Sequence, residues 1–428
     1  MSLKAGIARV TITPPLGTDL SGFGFGPRPA EGVHDDVCAK ALVLTDGETK
    51  VAIICCDLLG IDADFGRLVK QEIGRRAGIA PQNVMLCASH THSAPAVHFL
   101  RGCGTPDPRY VRGLGAKLVA LAKEAVGDLR PVAVGFGRTE HNLAYNRREV
   151  QRKNTMDQEE GTVDREVGIL RIDETSGKSL AVVYNYATHP VTQMGKNRQV
   201  TADYPGAASR LIESQSGGMA LFLQGCCGNI NPKVNGEFSV TEKAGAELGE
   251  KVLAAWKDIA VADAMTVAMA STELTLPLDG PPPLEQAAAE VEKAWKELAS
   301  DPSSLRWKYQ LEWAEDILRH VREGDAPRTI GAPVQALRIG DGALVAIPGE
   351  EFVETGRRIK DASPARGKTL VAAYSNSANM GYVPIREAYP KMGYEVWGAH
   401  MWYGLFRLAP GGAEAITDAA VSLLKRLF

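Results

Sequence analysis

Asn83-Val84-Met85-Leu86-Cys87-Ala88-Ser89-His90-Thr91-His92-Ser93-Ala94-Pro95 is the stretch from which the rest of the chain is read. Its first half follows Pro81 and is short and apolar, the mark of a buried strand. The second half carries two imidazoles, two residues apart, at the end of that strand, and Pro95 then turns the chain away. Side chains alternate along a strand with period two, so this reading places His90 and His92 on one side. Imidazole is the commonest metal ligand and titrates near neutrality. The pair alone reads equally well as hydrogen-bonded core histidines, because His-x-His has no fixed partner.

Outward from this turn, strands and helices follow one another. Upstream, strands at 39–45 and 50–56 are joined by Asp46-Gly47, a hairpin signal. An amphipathic helix is expected over 62–77 through Phe65, Leu68, Val69 and Ile73. The chain opens with the turn Thr13-Pro14-Pro15-Leu16-Gly17 and the glycine-rich run Ser21-Gly22-Phe23-Gly24-Phe25-Gly26-Pro27. Downstream, a helix over 108–126 precedes strands at 132–138 and 167–172. Residues 180–186 repeat the first theme, an apolar run ending in Ala187-Thr188-His189-Pro190. A helix near 207–213 and a strand at 219–223 lead into Gln224-Gly225-Cys226-Cys227-Gly228-Asn229-Ile230-Asn231-Pro232. Pro281-Pro282-Pro283 is the clearest punctuation. Past it, 284–299 and 304–322 read as charged, tryptophan-bearing helices, a helical hairpin inserted within 281–325. Strands return at 334–339 and 343–347. The pattern predicts the α/β class, with mixed β-sheets flanked by helices in a single unit over 1–428.

Composition sets the limits. Over 428 residues, 45% hydrophobic and 23% charged content is that of a soluble globular protein with a sizeable core. A net charge of −3 offers no basic stripe for nucleic acid or an anionic membrane. No apolar run reaches the roughly 18 residues of a membrane helix, so no transmembrane segment is expected. Met1-Ser2-Leu3-Lys4-Ala5-Gly6 has no apolar signal core. The seven cysteines are odd in number and include the neighbours Cys55-Cys56 and Cys226-Cys227, which suits reduced thiols and a cytoplasmic location.

Four polar elements share one address, the end of a strand at a turn. They are His90 with His92, His189, Glu350 in Ile347-Pro348-Gly349-Glu350-Glu351-Phe352, and Asn379-Met380-Gly381-Tyr382-Val383-Pro384. Two histidines, a carboxylate and a further oxygen would satisfy a catalytic Zn²⁺. Glu351 competes with Glu350, since a carboxylate at a helix start is favoured by the helix dipole alone. Cys226 and Cys227 are the thiolate alternative. His34 and His98 are candidates for the neighbourhood of a cleft, whereas His141, His320 and His400 read as structural.

Taken in order, the His90 segment, Ala187-Thr188-His189-Pro190, Pro348-Gly349-Glu350 and Gly381-Tyr382-Val383 resemble the zinc site of the neutral/alkaline ceramidase family. The opening Gly6-Ile7-Ala8-Arg9-Val10-Thr11-Ile12-Thr13-Pro14-Pro15 resembles the start of that family's catalytic domain. So does Gly32-Val33-His34 leading into Ala39-Lys40-Ala41-Leu42-Val43. The resemblance, from about Gly6 to Tyr394, implies a ceramidase-like catalytic domain with one Zn²⁺ per chain. It implies His90, His189, Glu350 and Tyr382 as ligands, and His92 beside the metal facing the substrate. Arg147 matches an arginine that approaches the scissile group, and Tyr394 a tyrosine near the substrate carbonyl.

The implied reaction is zinc-dependent hydrolysis of an N-acyl amide in a small-molecule or lipid-like substrate. Metal-activated water attacks the carbonyl, Arg147 or Tyr394 steadies the oxyanion, and His92 passes a proton to the leaving amine. The family's Gly-Asp-x-Ser-Pro segment is Gly228-Asn229-Ile230-Asn231-Pro232 here. Asn231 thus takes the place of a serine beside the substrate, and asparagine cannot be a nucleophile. The immunoglobulin-like C-terminal domain usual in the family is expected to be missing from a chain of this length. The expected substrate is an amide or ester whose acyl and amine parts stay open. A catalytically silent binding homologue is the reading from another class. The tryptophans of the 281–325 insertion read either as helix core or as paving for an acyl pocket.

Overall fold

Eight strands form one mixed sheet. In chain order they are β1 (Lys4–Thr11), β2 (Cys38–Thr45), β3 (Lys50–Cys56), β4 (Val84–Ala88), β5 (Arg130–Glu140), β6 (Glu166–Glu174), β7 (Ser179–Tyr186) and β8 (Met219–Gln224). They lie side by side as β8-β7-β6-β5-β1-β2-β3-β4, with β7–β8 and β3–β4 parallel. A second sheet holds β9 (Val267–Pro277), β10 (Thr329–Ile339), β11 (Gly342–Ala346) and β12 (Thr369–Ala372), in that order. The computed structural model describes residues 2–24, 26–263, 266–404 and 406–428, so Phe25 of the glycine-rich run lies outside the described residues.

Every residue of β2 is buried, and its alternation shows why the sheets stack. Ala39, Ala41 and Val43 share a core with Leu118 and Leu121 of α2 (Pro108–Gly127). Leu42 and Leu44 share the other core with Leu337, Leu344 and Leu370 of the second sheet. Each strand therefore carries two apolar faces, one for helices and one for the opposite sheet. Around the large sheet lie α1 (Ala63–Ala77), α2, α3 (Asp203–Ser216) and α4 (Phe238–Asp258); α7 (Val353–Ala362) and α8 (Gly412–Leu427) cover the small one. Local chemistry sets the helix bounds: Asp62 caps α1 by accepting from Phe65 N at 2.9 Å, and Gly78 closes it in the left-handed region.

Both edges of the large sheet reach one stretch of chain. At one edge Asn376 N donates to Leu86 O (2.7 Å) and Ala88 N to Tyr374 O (3.2 Å); at the other, Ala373 N donates to Gln224 O (2.9 Å). Accumulated strand twist of roughly 20–25° per pair is what lets edges seven pairings apart converge. The ends of β4, β7, β8 and β11 are thereby gathered around one place. The helices α5 (Leu284–Ser300) and α6 (Leu305–Glu323) join β9 to β10, which are themselves paired over eleven residues, so the insertion prolongs a β-hairpin. Arg101 ties α6 to the loop after the first histidine turn, through Asp316 at 2.5 Å and Glu312 at 3.5 Å.

Candidate metal centre and its cleft

The chain past β4 does not continue as a strand. Ser89 N donates to Cys56 O (2.9 Å), His90 N donates to Leu58 O (2.8 Å), and His90 has a left-handed backbone with φ 65°. This corrects the sequence reading: the two imidazoles meet through a turn, not through pleat alternation, with ring centroids 4.8 Å apart at 88°. The end of β7 delivers His189. Its turn is fastened by Tyr204 Oη, which donates to Thr188 O at 2.6 Å.

Backbone carbonyls fix the tautomers. His90 Nδ1 lies 2.6 Å from Leu59 O, and His189 Nδ1 lies 2.6 Å from Cys227 O and 2.9 Å from Ile230 O. A carbonyl only accepts, so both rings carry their proton on Nδ1 and present an Nε2 lone pair. One ring nitrogen from each of His90, His92 and His189 lies within 4.8 Å of the others. Glu350 Oε2 stands 3.3 Å from His90 Nε2 and 3.3 Å from His189 Nε2. Among the described residues, neither Glu350 Oε2 nor His189 Nε2 has a hydrogen-bond partner. Oriented imidazole lone pairs converging with a bare carboxylate oxygen form a donor set that fits a divalent cation.

Glu350 is turned inward by a two-residue strand, Glu350–Glu351, parallel to Tyr382–Val383, with Glu350 opposite Tyr382. The next residue faces away: Glu351 is buried with both carboxylate oxygens unpartnered, and burial pushes its carboxyl well up. Tyr403 Oη donates to Glu350 Oε1, leaving Oε2 to the histidines. The ring of Tyr403 lies against Gly381 (φ 62°), where a Cβ would come within 2.6 Å of it. Burial alone would raise Glu350, but the protonated forms of His90 and His189 would hold it well below the usual carboxylate range. Burial, with His90 and His189 beside it, pushes His92 well down.

Arg147 is no surface charge. Its Nε donates to Glu395 Oε1 (3.1 Å), Nη1 to Asn231 Oδ1 (3.1 Å), and Nη2 to Gly228 O (2.6 Å) and to Tyr382 Oη (3.0 Å). One of its five N–H groups remains. Glu395 is buried and also takes Arg148. Tyr382 is pushed up by burial first and then by Glu350.

Above the cluster opens a cleft of about 340 Å³, and its walls hold all eight candidates, His90, His92, Arg147, His189, Asn231, Glu350, Tyr382 and Tyr394. They also hold Phe23, Leu100, Trp402 and Tyr403, which the sequence reading did not place there. The glycine-rich run explains Phe23. Gly22, at φ 104°, lets the backbone pass so close that a Cβ would meet the His92 ring at 2.6 Å, and Phe23 packs edge-on to that ring with centroids 5.0 Å apart. Trp402 and Tyr403 follow the short helix Tyr394–Trp397 in irregular chain, where no periodicity marks them. The cleft's tryptophan is therefore Trp402 and not one from the insertion; Tyr309 of α6 packs behind it at 6.2 Å. His34 stacks on Phe238 and His98 is buried beside Gly60, and neither lines the cleft. Cys227 Sγ sits 3.0 Å from Tyr374 Oη, and all seven cysteines are buried and free. Among the described residues no helix is long and apolar enough to cross a membrane.

The chain is similar to known proteins. The family profile described as neutral/alkaline non-lysosomal ceramidase, N-terminal, matches residues 3–250. A neutral ceramidase of Drosophila pseudoobscura pseudoobscura is 25% identical over 256 residues, covering 54% of this chain and 36% of that protein. A neutral ceramidase of Pseudomonas aeruginosa is 22% identical over 511 residues, covering 99% of this chain and 72% of that one. The crystal structure of neutral ceramidase from Pseudomonas aeruginosa superposes with a TM-score of 0.74 at 20% identity, covering 100% of this chain and 75% of that chain. A structure described as ceramidase complexed with C2 gives 0.72 at 20% identity. With the profile matched over more than half its length, the chain belongs to the neutral/alkaline non-lysosomal ceramidase family.

Proposed function

We propose that this chain hydrolyses N-acyl amide bonds with ceramidase-like chemistry, using a zinc ion held by His90, His189, Glu350 and Tyr382. The observation that carries the reading is the convergence of tautomer-fixed histidine lone pairs with the unpartnered Oε2 of Glu350 at the foot of a cleft. A bound zinc supplies a Lewis acid and water acidic enough to ionise near neutral pH. His92, 3.2 Å from His90 at Nε2, carries a proton from the attacking water to the leaving amine. Tyr394 and the remaining N–H of Arg147 steady negative charge on the acyl oxygen. Leu59, Leu100 and Trp402 exclude water from the acyl side. Asn231 presents its Oδ1 to Arg147, which supports water, and not a side chain, as the nucleophile.

The same asparagine favours one second reading, a homologue that binds metal and ligand without turnover. Two measurements decide. Protein purified without chelator should hold about one equivalent of zinc, lost in His90→Ala. A series of N-acyl substrates of graded chain length should then be hydrolysed with chelator sensitivity. Chelator-indifferent turnover would refute the mechanism, and no turnover on any amide or ester would establish the silent reading.

A further inference from the structure

The cleft lining combines apolar and polar residues. Leu59, Leu100 and Cys103 form a small apolar core of their own, with Trp402 and Tyr403 packed on it. The lining also holds the polar residues Arg147, Arg152, Asn231 and Asn235. Arg147 holds Asn231 there, and Asn154 Oδ1 accepts from Asn235 N at 3.0 Å and from Arg152 Nη2 at 3.2 Å. Asn154 does this from a left-handed backbone, φ 57°, a conformation asparagine tolerates better than most residues. Arg152, although exposed, is thus tied at the cleft to a side chain that also holds Asn235.

Its charge is also unmatched. Arg147 and Arg148 share Glu395, and Lys153 pairs with Glu159. Among the described residues Arg152 has no carboxylate partner. A guanidinium placed at a cleft mouth with free donors suits a carboxylate or phosphate of the ligand. A cleft of about 340 Å³ lies at the small end of small-molecule sites, which run from about 300 to 1,000 Å³.

We propose that the amine half of the substrate carries an anionic group, carboxylate or phosphate, bound by Arg152, while a short acyl chain lies on the Leu59–Leu100–Trp402 wall. This rests on the hydrolase reading above. Hydrolysis breaks the amide C–N bond; water gives its hydroxyl to the acyl carbon and a proton to the amine. The released products are a short carboxylic acid and an anion-bearing amine.

The test compares pairs that differ in the anionic group: N-hexanoylglycine with N-hexanoylglycinamide, and N-hexanoylethanolamine phosphate with N-hexanoylethanolamine. The anionic member of at least one pair should have the higher kcat/KM, by about tenfold, and the pair that shows it distinguishes carboxylate from phosphate. Arg152→Gln and Asn154→Gly should each shrink that ratio several-fold, mainly through KM, and Arg152→Lys should restore part of it. Equal rates within both pairs, or a preference that survives Arg152→Gln, would overturn the proposal. If no amide is turned over, the hydrolase reading fails separately. Calorimetric binding of 4-oxononanoate and of 4-oxononanamide, the ketone isosteres of the glycine pair, then decides. An anion preference abolished by Arg152→Gln supports the site, and equal affinity overturns it.

Discussion

Replacing Tyr403 by phenylalanine removes one oxygen and should weaken the metal centre without touching a ligand. Tyr403 Oη donates to Glu350 Oε1, and the opposite oxygen, Oε2, faces His90 and His189 at 3.3 Å each. A hydrogen bond to a charged group contributes about 1.5–3 kcal/mol. This one already exists before any metal arrives, so only its part in orienting the carboxylate counts toward affinity. We therefore expect the lower half of that range, a zinc Kd about 13- to 45-fold weaker, within the span typical of lost outer partners. The phenyl ring keeps its seat against Gly381, so the fold should survive. Competition titration against a chromophoric chelator gives the Kd, and thermal melting of the metal-free protein checks the fold. A Tyr403→Phe protein that binds zinc within about twofold of the parent would refute the orienting role.

Four other outcomes are expected. Gly22→Ala forces a Cβ into the His92 ring and strains a backbone at φ 104°, a cost of about 1–2 kcal/mol, and kcat should fall at least about tenfold; a parental kcat would show that His92 has room to move. Burial, with Lys251 and Lys233 nearby, pushes His141 down to about 4, so it is neutral in the fold while its unfolded form takes up a proton below about 6.5. Stability should therefore drop by about 2 kcal/mol from this residue as pH falls from 7 to 5, and urea melts of His141→Gln should lack that share of the slope. Zinc at a hundredfold over its Kd should stabilise the protein by about 2.7 kcal/mol, seen as a melting temperature that falls when chelator is added; a chelator-insensitive melt would contradict the site. Asn231→Ser should extend hydrolysis toward short-chain ceramide in detergent, and no gain would remove this position from substrate choice.

Much of the address of the centre is legible in the chain. The strand ends at Ala88, Tyr186 and Ala346 are apolar runs cut by proline, glycine or histidine, and such local breaks need no tertiary knowledge. Asp46-Gly47 and Asp62 likewise act within a few residues of themselves. Other features are not local. Nothing near His90 announces a left-handed residue, so pleat alternation stood in for a turn. Tyr403 and Glu395 gain their meaning from Glu350 and Arg147, partners far away in sequence. That α8 covers β9 and β10, and that both edges of the large sheet reach residues 373–376, depends on twist summed over eight strands, which no sequence window contains.

The donor set is spread along the chain, with Glu350 on a separate two-stranded pairing that closes last, and this imposes an order on its making. Translation runs at about 5–20 residues per second, so His90 and His189 emerge on the order of ten seconds before Glu350. Through that interval the nascent chain offers imidazoles with no carboxylate, and the strand that will turn Glu350 inward has no Tyr382–Val383 to pair with. A cation that requires the carboxylate would consequently be captured late, once Glu350–Glu351 has paired with Tyr382–Val383. On the proposed ligand set, metal content would thereby report that this last pairing has formed.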